Sequence, residues 1–466
     1  MAEEQPNSNL LNRVCQYAQI KSLDFFDLRA ERYTGLFLEA TEGRIKNISS
    51  PFEQGFGFRA LVNGAWGFAV AKKFDFDVLK EAVDRASTLA KLASERVKET
   101  FEIAEQPAHV DDVDLGVLEQ GTENIEEKIL KTLELNQKTK DFDPRLHNVQ
   151  TFFSERTLET WIFNSFGTQV NVKTPLFRLF TNVFAQEGGI LQQATKTTGF
   201  VGTWGDMQDW EKHCTEPAEN AVRLLSAQAA PSGTFTIIMN PSLTGTFTHE
   251  ALGHASEADA IIAKESILEG RLGEKVAAPE VTIVDDATIR ESYGYYPYDD
   301  EGTPGQRKVI VNHGVLGGYL TSLESASRLD LPVTGNARAQ STHDLPLVRM
   351  SATVLQPGDF SLDELIAEVK QGILAIDWLY GYVDPVKGEF EFKTKGGYLI
   401  ENGEKTTLIR DVALSGLTLE TLKNVTGIGN EVEYADGVCG KGGQGVRVGD
   451  GGPYTRIENV RVGGMG

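Results

Sequence analysis

His249 and His254 bracket a glutamate, Glu250, in the segment Thr248-His249-Glu250-Ala251-Leu252-Gly253-His254. Two imidazoles with a carboxylate between them are the parts of a hydrolytic metal site: the histidines hold a divalent ion and the glutamate takes a proton from water there. In the familiar zinc-protease motif the histidines stand four residues apart, which puts both on one helical face. Here the spacing is five. At about 100° per residue, five steps carry His254 roughly 140° around a regular helix from His249, so the rings would not aim at one ion. A wide π-type turn, eased by Gly253, returns them to one side, and the motif therefore demands a distorted helix. Two histidines five apart are also compatible with unrelated, hydrogen-bonded side chains. Scarcity favours the metal site: the chain has seven histidines, and two of them flank Glu250 in a helix that also holds Gly245, Gly253, Thr244, Thr246 and Thr248. Such breaches of local helix preference are often functional.

A catalytic zinc keeps three protein ligands and an open position for water. Glu257 and Asp259 lie close by in sequence. Cys439, in the glycine-rich stretch Cys439-Gly440-Lys441-Gly442-Gly443-Gln444-Gly445, offers a thiolate that the ion itself would favour. The residues alone leave all three open. That stretch also spells G-x-G-x-x-G, but Val446-Arg447-Val448-Gly449 follows where a dinucleotide site needs a helix, so the match is read as accidental. Cys15 and Cys214 read as small core residues. The three cysteines are scattered without a CxxC and form no disulfide framework.

The elements that must position these groups fall into two regions. Asn240 as N-cap and Pro241 as first helical residue start the motif helix directly after a strand over 234–239. Before them, helices are expected over 10–20, from a cap at Asp77 to about 93, over 124–138 and over 207–227. Strands are expected over 25–71, broken by Gly55, Gly57, Gly64 and Gly67, and over 147–202. The turn residues Ala229-Ala230-Pro231-Ser232-Gly233 separate the regions. The expected fold is α+β: an N-terminal α/β domain with an antiparallel sheet and long helices, residues 1–230, and a β-rich C-terminal domain, barrel-like or a sandwich, residues 231–466, that carries the metal helix.

Sixty-seven acidic against 45 basic residues give a formal charge of -22, which disfavours nucleic acid and anionic membrane surfaces as partners. The start, Met1-Ala2-Glu3-Glu4, is acidic where an export signal would be basic and then apolar, and no run of about 18 apolar residues marks a membrane span. A cytoplasmic protein is expected.

Several motifs resemble the TldD/PmbA family, also called the modulator of DNA gyrase family, and within it the TldD side. They are His249 to His254 above, Asp299-Asp300-Glu301-Gly302-Thr303-Pro304-Gly305-Gln306, Thr334-Gly335-Asn336-Ala337-Arg338, Leu399-Ile400-Glu401-Asn402-Gly403, and the close from Cys439-Gly440-Lys441 through Gly463. The resemblance runs over nearly all of 233–466 and is looser before that, carried mainly by 39–69. It implies a two-domain fold, zinc on His249, His254 and Cys439, and Glu250 as catalytic base. It also implies a dimer, of two copies or with a PmbA-type paralogue that lacks the metal motif, acting on unfolded peptides in microcin maturation and antitoxin turnover. Two departures bear on substrate choice: Ala255-Ser256-Glu257-Ala258-Asp259 replaces a more glycine-rich stretch, and the surroundings of Thr342-His343-Asp344 have drifted.

The chemistry these residues point to is metal-assisted hydrolysis, in which zinc lowers the pKa of its water toward about 7 and Glu250 moves the proton to the leaving amine. An unfolded peptide bound as an added strand would account for low sequence preference. Two other classes share the same residues: a zinc amidase on a small substrate, and a non-catalytic peptide-binding subunit whose zinc is structural, which would show a fourth protein ligand. Arg338 is a candidate for steadying the oxyanion or binding substrate, against the commoner role of an exposed arginine as a solvated charge. Tyr293, Tyr295, Tyr296 and Tyr298 could line a substrate cleft, against ordinary packing.

Overall fold

Aromatic and β-branched residues dominate 146–201, and they form three long neighbouring strands, Leu146–Asn164, Gln169–Glu187 and Ile190–Val201. The computed structural model describes residues 5–116 and 124–463. Met1 to Glu4, on which the expectation about export rests, lie outside them. The N-terminal sheet runs in the order Ala65–Ala71, Phe52–Val62, Phe25–Thr41, Leu146–Asn164, Gln169–Glu187, Val110–Asp114, with Arg44–Ser49 paired to Phe25–Thr41 and Ile190–Val201 to Gln169–Glu187. Every pairing in it is antiparallel except that of Val110–Asp114. Of the apolar positions that recur at helical spacing, helix Phe76–Ser94 buries Leu79, Ala82, Val83, Ala86 and Ala90 and leaves Leu89 and Ala93 exposed, and its cap is Asp75, not Asp77, with Oδ1 accepting the N–H groups of Asp77 and Val78. Among the described residues, no helix is long and apolar enough to cross a membrane.

The glycines expected to break the first strands mostly do not. Gly55 and Gly57 sit inside Phe52–Val62, and Gly67 inside Ala65–Ala71. A Cβ on Gly67 would lie 2.0 Å from the carbonyl oxygen of Ala86, and one on Gly57 would lie 2.4 Å from that of Thr342. Close approach of a helix and of a C-terminal loop, not chain reversal, selects glycine there. Only Asn63-Gly64, with φ of 46° and 76°, is the tight hairpin turn that glycine at such a place normally signals.

The C-terminal half resolves the choice between barrel and sandwich. Strands Gln371–Asp384, Gly233–Met239, Thr455–Gly463, Ala413–Leu417 and Glu389–Glu401 follow one another, and the last pairs back onto the first, closing a five-stranded barrel. A second, six-stranded sheet runs Val315–Leu316, Arg307–Asn312, Ile283–Asp286, Ala352–Leu355, Gln444–Gly452, Glu433–Lys441. The fold is α+β, as the sequence led us to expect. One apolar core joins barrel and motif helix: Phe247 of the helix meets Phe390 and Phe392 of the barrel at ring distances of 5.3 and 6.1 Å.

Two of the family-like motifs turn out to hold the halves and sheets together. Glu301 accepts a hydrogen bond from Arg59 of the N-terminal sheet at 2.9 Å and another from the N–H of Leu323 at 2.8 Å, while Arg59 also pairs with Asp27. Asn336 donates to Asp285 at 2.9 Å. Asp285 is fully buried and accepts further bonds from the N–H and hydroxyl of Ser351, at 2.7 and 2.6 Å, and pairs with Lys308 at 2.9 Å. Burial alone would raise this carboxyl, but Lys308, Ser351 and Asn336 hold it below the ordinary range. Asp285→Ala leaves Lys308 buried and unpaired and is expected to destabilise the fold by about 3–5 kcal/mol, measured by urea unfolding. Because the folded carboxyl is depressed, its contribution is complete above the unfolded value of about 3.9 and is lost as pH falls through the folded value. Asp285→Asn should therefore flatten the acid limb of the stability curve.

Candidate metal centre

The side chain of Asn240 accepts the N–H of Leu243, and Pro241 opens the helix Pro241–Phe247, as its sequence predicts. From Thr248 to Gly253 the helix widens into one π turn, in which the N–H of His254 donates to the carbonyl of His249. This is the distortion that the five-residue spacing demands. It brings the two imidazoles to one side, with ring centroids 5.3 Å apart. Gly253 is needed for space as well as flexibility, since a Cβ there would fall 2.0 Å from Sδ of the buried Met350. Gly253→Ala should cost about 1–3 kcal/mol through this overlap, read as a lowered urea midpoint.

Cys439 comes from the other side of the site. It is not in a loop, as expected, but in the edge strand Glu433–Lys441, paired in register with Val446. The glycine run is a hairpin turn at Gly442-Gly443, with φ of 58° and 79°, and the flanking residues continue as strand. The buried guanidinium of Arg349 steadies this hairpin from below by donating to the carbonyls of Cys439 and Gln444.

One ligand atom from each of His249, His254 and Cys439 lies within 4.8 Å of the others. Sγ of Cys439 is 3.2 Å from Nε2 of His254. His249 and Cys439 are buried, and His254 is partly open. Burial works to raise the Cys439 thiol, but His249 and His254 outweigh it and bring it down to about 5, so it is a thiolate at neutral pH. Burial opposes charge on the histidines, yet Cys439 raises His249, and Glu257 with Cys439 raises His254 well above the usual value. Nδ1 of His249 is buried and, among the described residues, has no hydrogen-bond partner. Two imidazoles and a thiolate packed this closely are a donor set suited to a borderline-soft divalent ion. Glu250 stands beside them, with Oε2 3.9 Å from Nε2 of His254 and about a third of its side chain exposed, at 35%.

Glu257 and Asp259, considered as ligands from sequence, stand elsewhere. Oε2 of Glu257 meets Nδ1 of His254 at 3.0 Å, and Nζ of Lys441 donates to Glu257 at 3.0 Å and to Asp259 at 2.7 and 2.8 Å. Lys441 carried no role in the sequence reading. Its position two residues after Cys439 was the available signal, because alternate residues of a strand share a face. Asp450, also unforeseen, holds its buried Oδ1 near Gly245 of the motif helix with no hydrogen-bond partner among the described residues.

Tyr293, Tyr296 and Tyr298 line a cleft of about 690 Å³ between the N-terminal sheet and the C-terminal half, together with Glu31, Arg338 and Arg447. Arg338 is buried, not solvated: its Nη1 donates to the carbonyl of Met350 at 2.8 Å and its guanidinium lies 4.7 Å from the Tyr296 ring centre. Burial and the nearby Arg338 charge lower Arg447 to about 10. Val438 and Arg447, paired in register, line the cleft. Cys439, one position on, faces the opposite side of the hairpin. Cleft and cluster thus flank one hairpin.

Comparison with known proteins gives three family-model matches: PmbA/TldA metallopeptidase domain 1 over 26–90, its central domain over 120–228 and its C-terminal domain over 232–464. A metalloprotease from Methanocaldococcus jannaschii is 35% identical, covering 93% of this chain and 96% of that protein. The chain belongs to the PmbA/TldD metallopeptidase family. Another relative, a zinc metalloprotease TldD homolog from Saccharolobus solfataricus, is 28% identical over 94% of this chain and 96% of its own length. The crystal structure of TldE from Thermococcus kodakarensis superposes with a TM-score of 0.78 at 18% identity, covering 98% of this chain and 100% of that one, and so shares the fold. Membership of the PmbA/TldD family and the names of its relatives support a metal-dependent protease.

Proposed function

We propose that this chain is a zinc-dependent peptidase acting on unfolded or extended peptides, with His249, His254 and Cys439 as metal ligands and Glu250 as general base. The observation that carries the reading is the convergence, from a π turn and a distant hairpin, of three ligand atoms within 4.8 Å, with a partly exposed carboxylate next to them. A bound zinc would supply Lewis acidity toward water and the scissile carbonyl. Glu250, held at the rim by the π turn, would accept the water proton and return it to the leaving amine. Three protein ligands suit a catalytic site, which keeps a position open, better than a structural one. The name of the S. solfataricus relative supports zinc in particular.

Extended substrates are supported by the place of Cys439. Strand Glu433–Lys441 ends its sheet, and among the described residues no further strand pairs with its outer side. A peptide added there would run alongside Cys439, bound mainly through main-chain hydrogen bonds. The proposal includes a dimer, of two copies or with a PmbA-type paralogue, which light scattering of the chain alone and of the mixture would distinguish. It also includes a cytoplasmic setting, supported by three free cysteines.

Digestion of casein, an unstructured protein, tests the activity. The purified chain, alone and with a candidate partner, should cleave it, lose activity in a chelator and regain it with added zinc. A metal-loaded protein that cleaves no peptide bond in either pairing would defeat the peptidase reading and leave the small-substrate amidase or the structural-zinc subunit.

A further inference from the structure

The ring of His254 is held by a chain of polar contacts that ends on the strand of Cys439. Its Nδ1 lies 3.0 Å from Oε2 of Glu257, and the same oxygen accepts a hydrogen bond from Nζ of Lys441 at 3.0 Å. Lys441 also donates to both oxygens of Asp259, at 2.7 and 2.8 Å, and to the carbonyl of Val348 at 2.9 Å. An ammonium has three donors, and here three groups on two segments take them, Glu257 and Asp259 at the start of helix Ala258–Ala263 and Val348 on strand Leu347–Val348. Glu257 is almost fully buried, with 2% of its side chain exposed, so the lysine is also its counter-charge. Lys441 and Cys439, two apart on one strand, point to the same face. When Nδ1 is engaged by a carboxylate, the ring is left with Nε2 as its free nitrogen, and Nε2 is the atom 3.2 Å from the cysteine sulfur.

We infer that Glu257 and Lys441 are positioning residues that form a clasp: Glu257 fixes the orientation of His254, and Lys441 fastens the cysteine strand to it, so that both ligands are presented from one frame. This rests on the metal-centre reading proposed above. Asp259 and the Val348 carbonyl anchor the clasp to helix Ala258–Ala263 and to the strand Leu347–Val348. The clasp crosses 184 residues of sequence, from Glu257 to Lys441, and ties together two segments that share no backbone pairing.

Three variants test it: Glu257→Gln, Lys441→Met and Asp259→Asn. For each, zinc release to a coloured chelator, the absorption spectrum of the cobalt(II)-substituted protein, and the Tm of apo and metal-loaded forms are measured. Glu257→Gln and Lys441→Met should release zinc roughly 10–100-fold faster than wild type, shift the cobalt bands and shrink the rise in Tm on metal loading. Asp259 is a third exposed, at 35%, so Asp259→Asn should fold normally and show a smaller change in the same direction, which keeps the test decisive if the buried variants misfold. Wild-type release rates and cobalt spectra in every folded variant, even with a lowered apo Tm, would reduce the clasp to a stability device and overturn the inference alone. A wild-type chain that holds neither zinc nor cobalt would overturn the metal-centre reading and the clasp with it.

Discussion

Glu250→Ala is expected to keep its zinc and lose roughly 10²–10⁴-fold in the rate of peptide hydrolysis, the usual contribution of a positioned acid–base group. The carboxylate is not among the clustered ligand atoms. Its removal takes away a carboxylate that stands 3.9 Å from His254 and not a ligand atom, so metal content should stay near that of wild type. With about a third of the side chain in solvent, the substitution should leave the urea midpoint almost unmoved, as surface changes usually do. The decisive measurement is kcat beside metal stoichiometry in the same preparation. A variant that keeps both metal and rate would remove Glu250 from the chemistry.

Cys439→Ser is the second large effect, and it acts through the metal itself. The thiolate is available at neutral pH because His249 and His254 overcome the effect of burial and hold it near 5. A serine hydroxyl at the same place keeps its proton and is a harder, weaker donor to zinc. Zinc affinity should fall by more than the roughly 10–100-fold that loss of a supporting residue costs, and hydrolysis should fall with it. Isothermal titration of the chelated protein with zinc reads the first, and casein digestion at saturating zinc reads how much rate returns. Retention of wild-type affinity would take Cys439 out of the ligand set.

The distortion at the motif was legible because geometry leaves little choice: a five-residue spacing on a regular helix scatters the two imidazoles, and a π turn is the smallest repair. The α+β character was legible from the helix stripe at Leu79 to Ala90 and from the aromatic run of 146–201. What remained hidden depended on contacts between distant segments. Gly55, Gly57 and Gly67 looked like breaks because the helix and the loop that press against them are invisible in a local window. Cys439 looked loop-borne because Gly442-Gly443, a two-residue turn, sits among further glycines that are in fact strand. The pairing of Lys441 with Glu257 joins residues 184 apart in sequence, and the alternation of Lys441 with Cys439 signals a shared strand face but not its partner. Arg338, expected on an exposed turn, is buried because Met350 and Tyr296 close over it.

The order in which the clustered residues occur along the chain bears on how the site is assembled. His249 and His254 are translated first, and Cys439 follows 185 residues after His254. While the chain is being synthesised it holds two imidazoles, a glutamate and no thiolate. The cluster is completed only when the hairpin of Glu433–Lys441 and Gln444–Gly452 closes beside the π turn, so its three ligand atoms come together only in the folded domain.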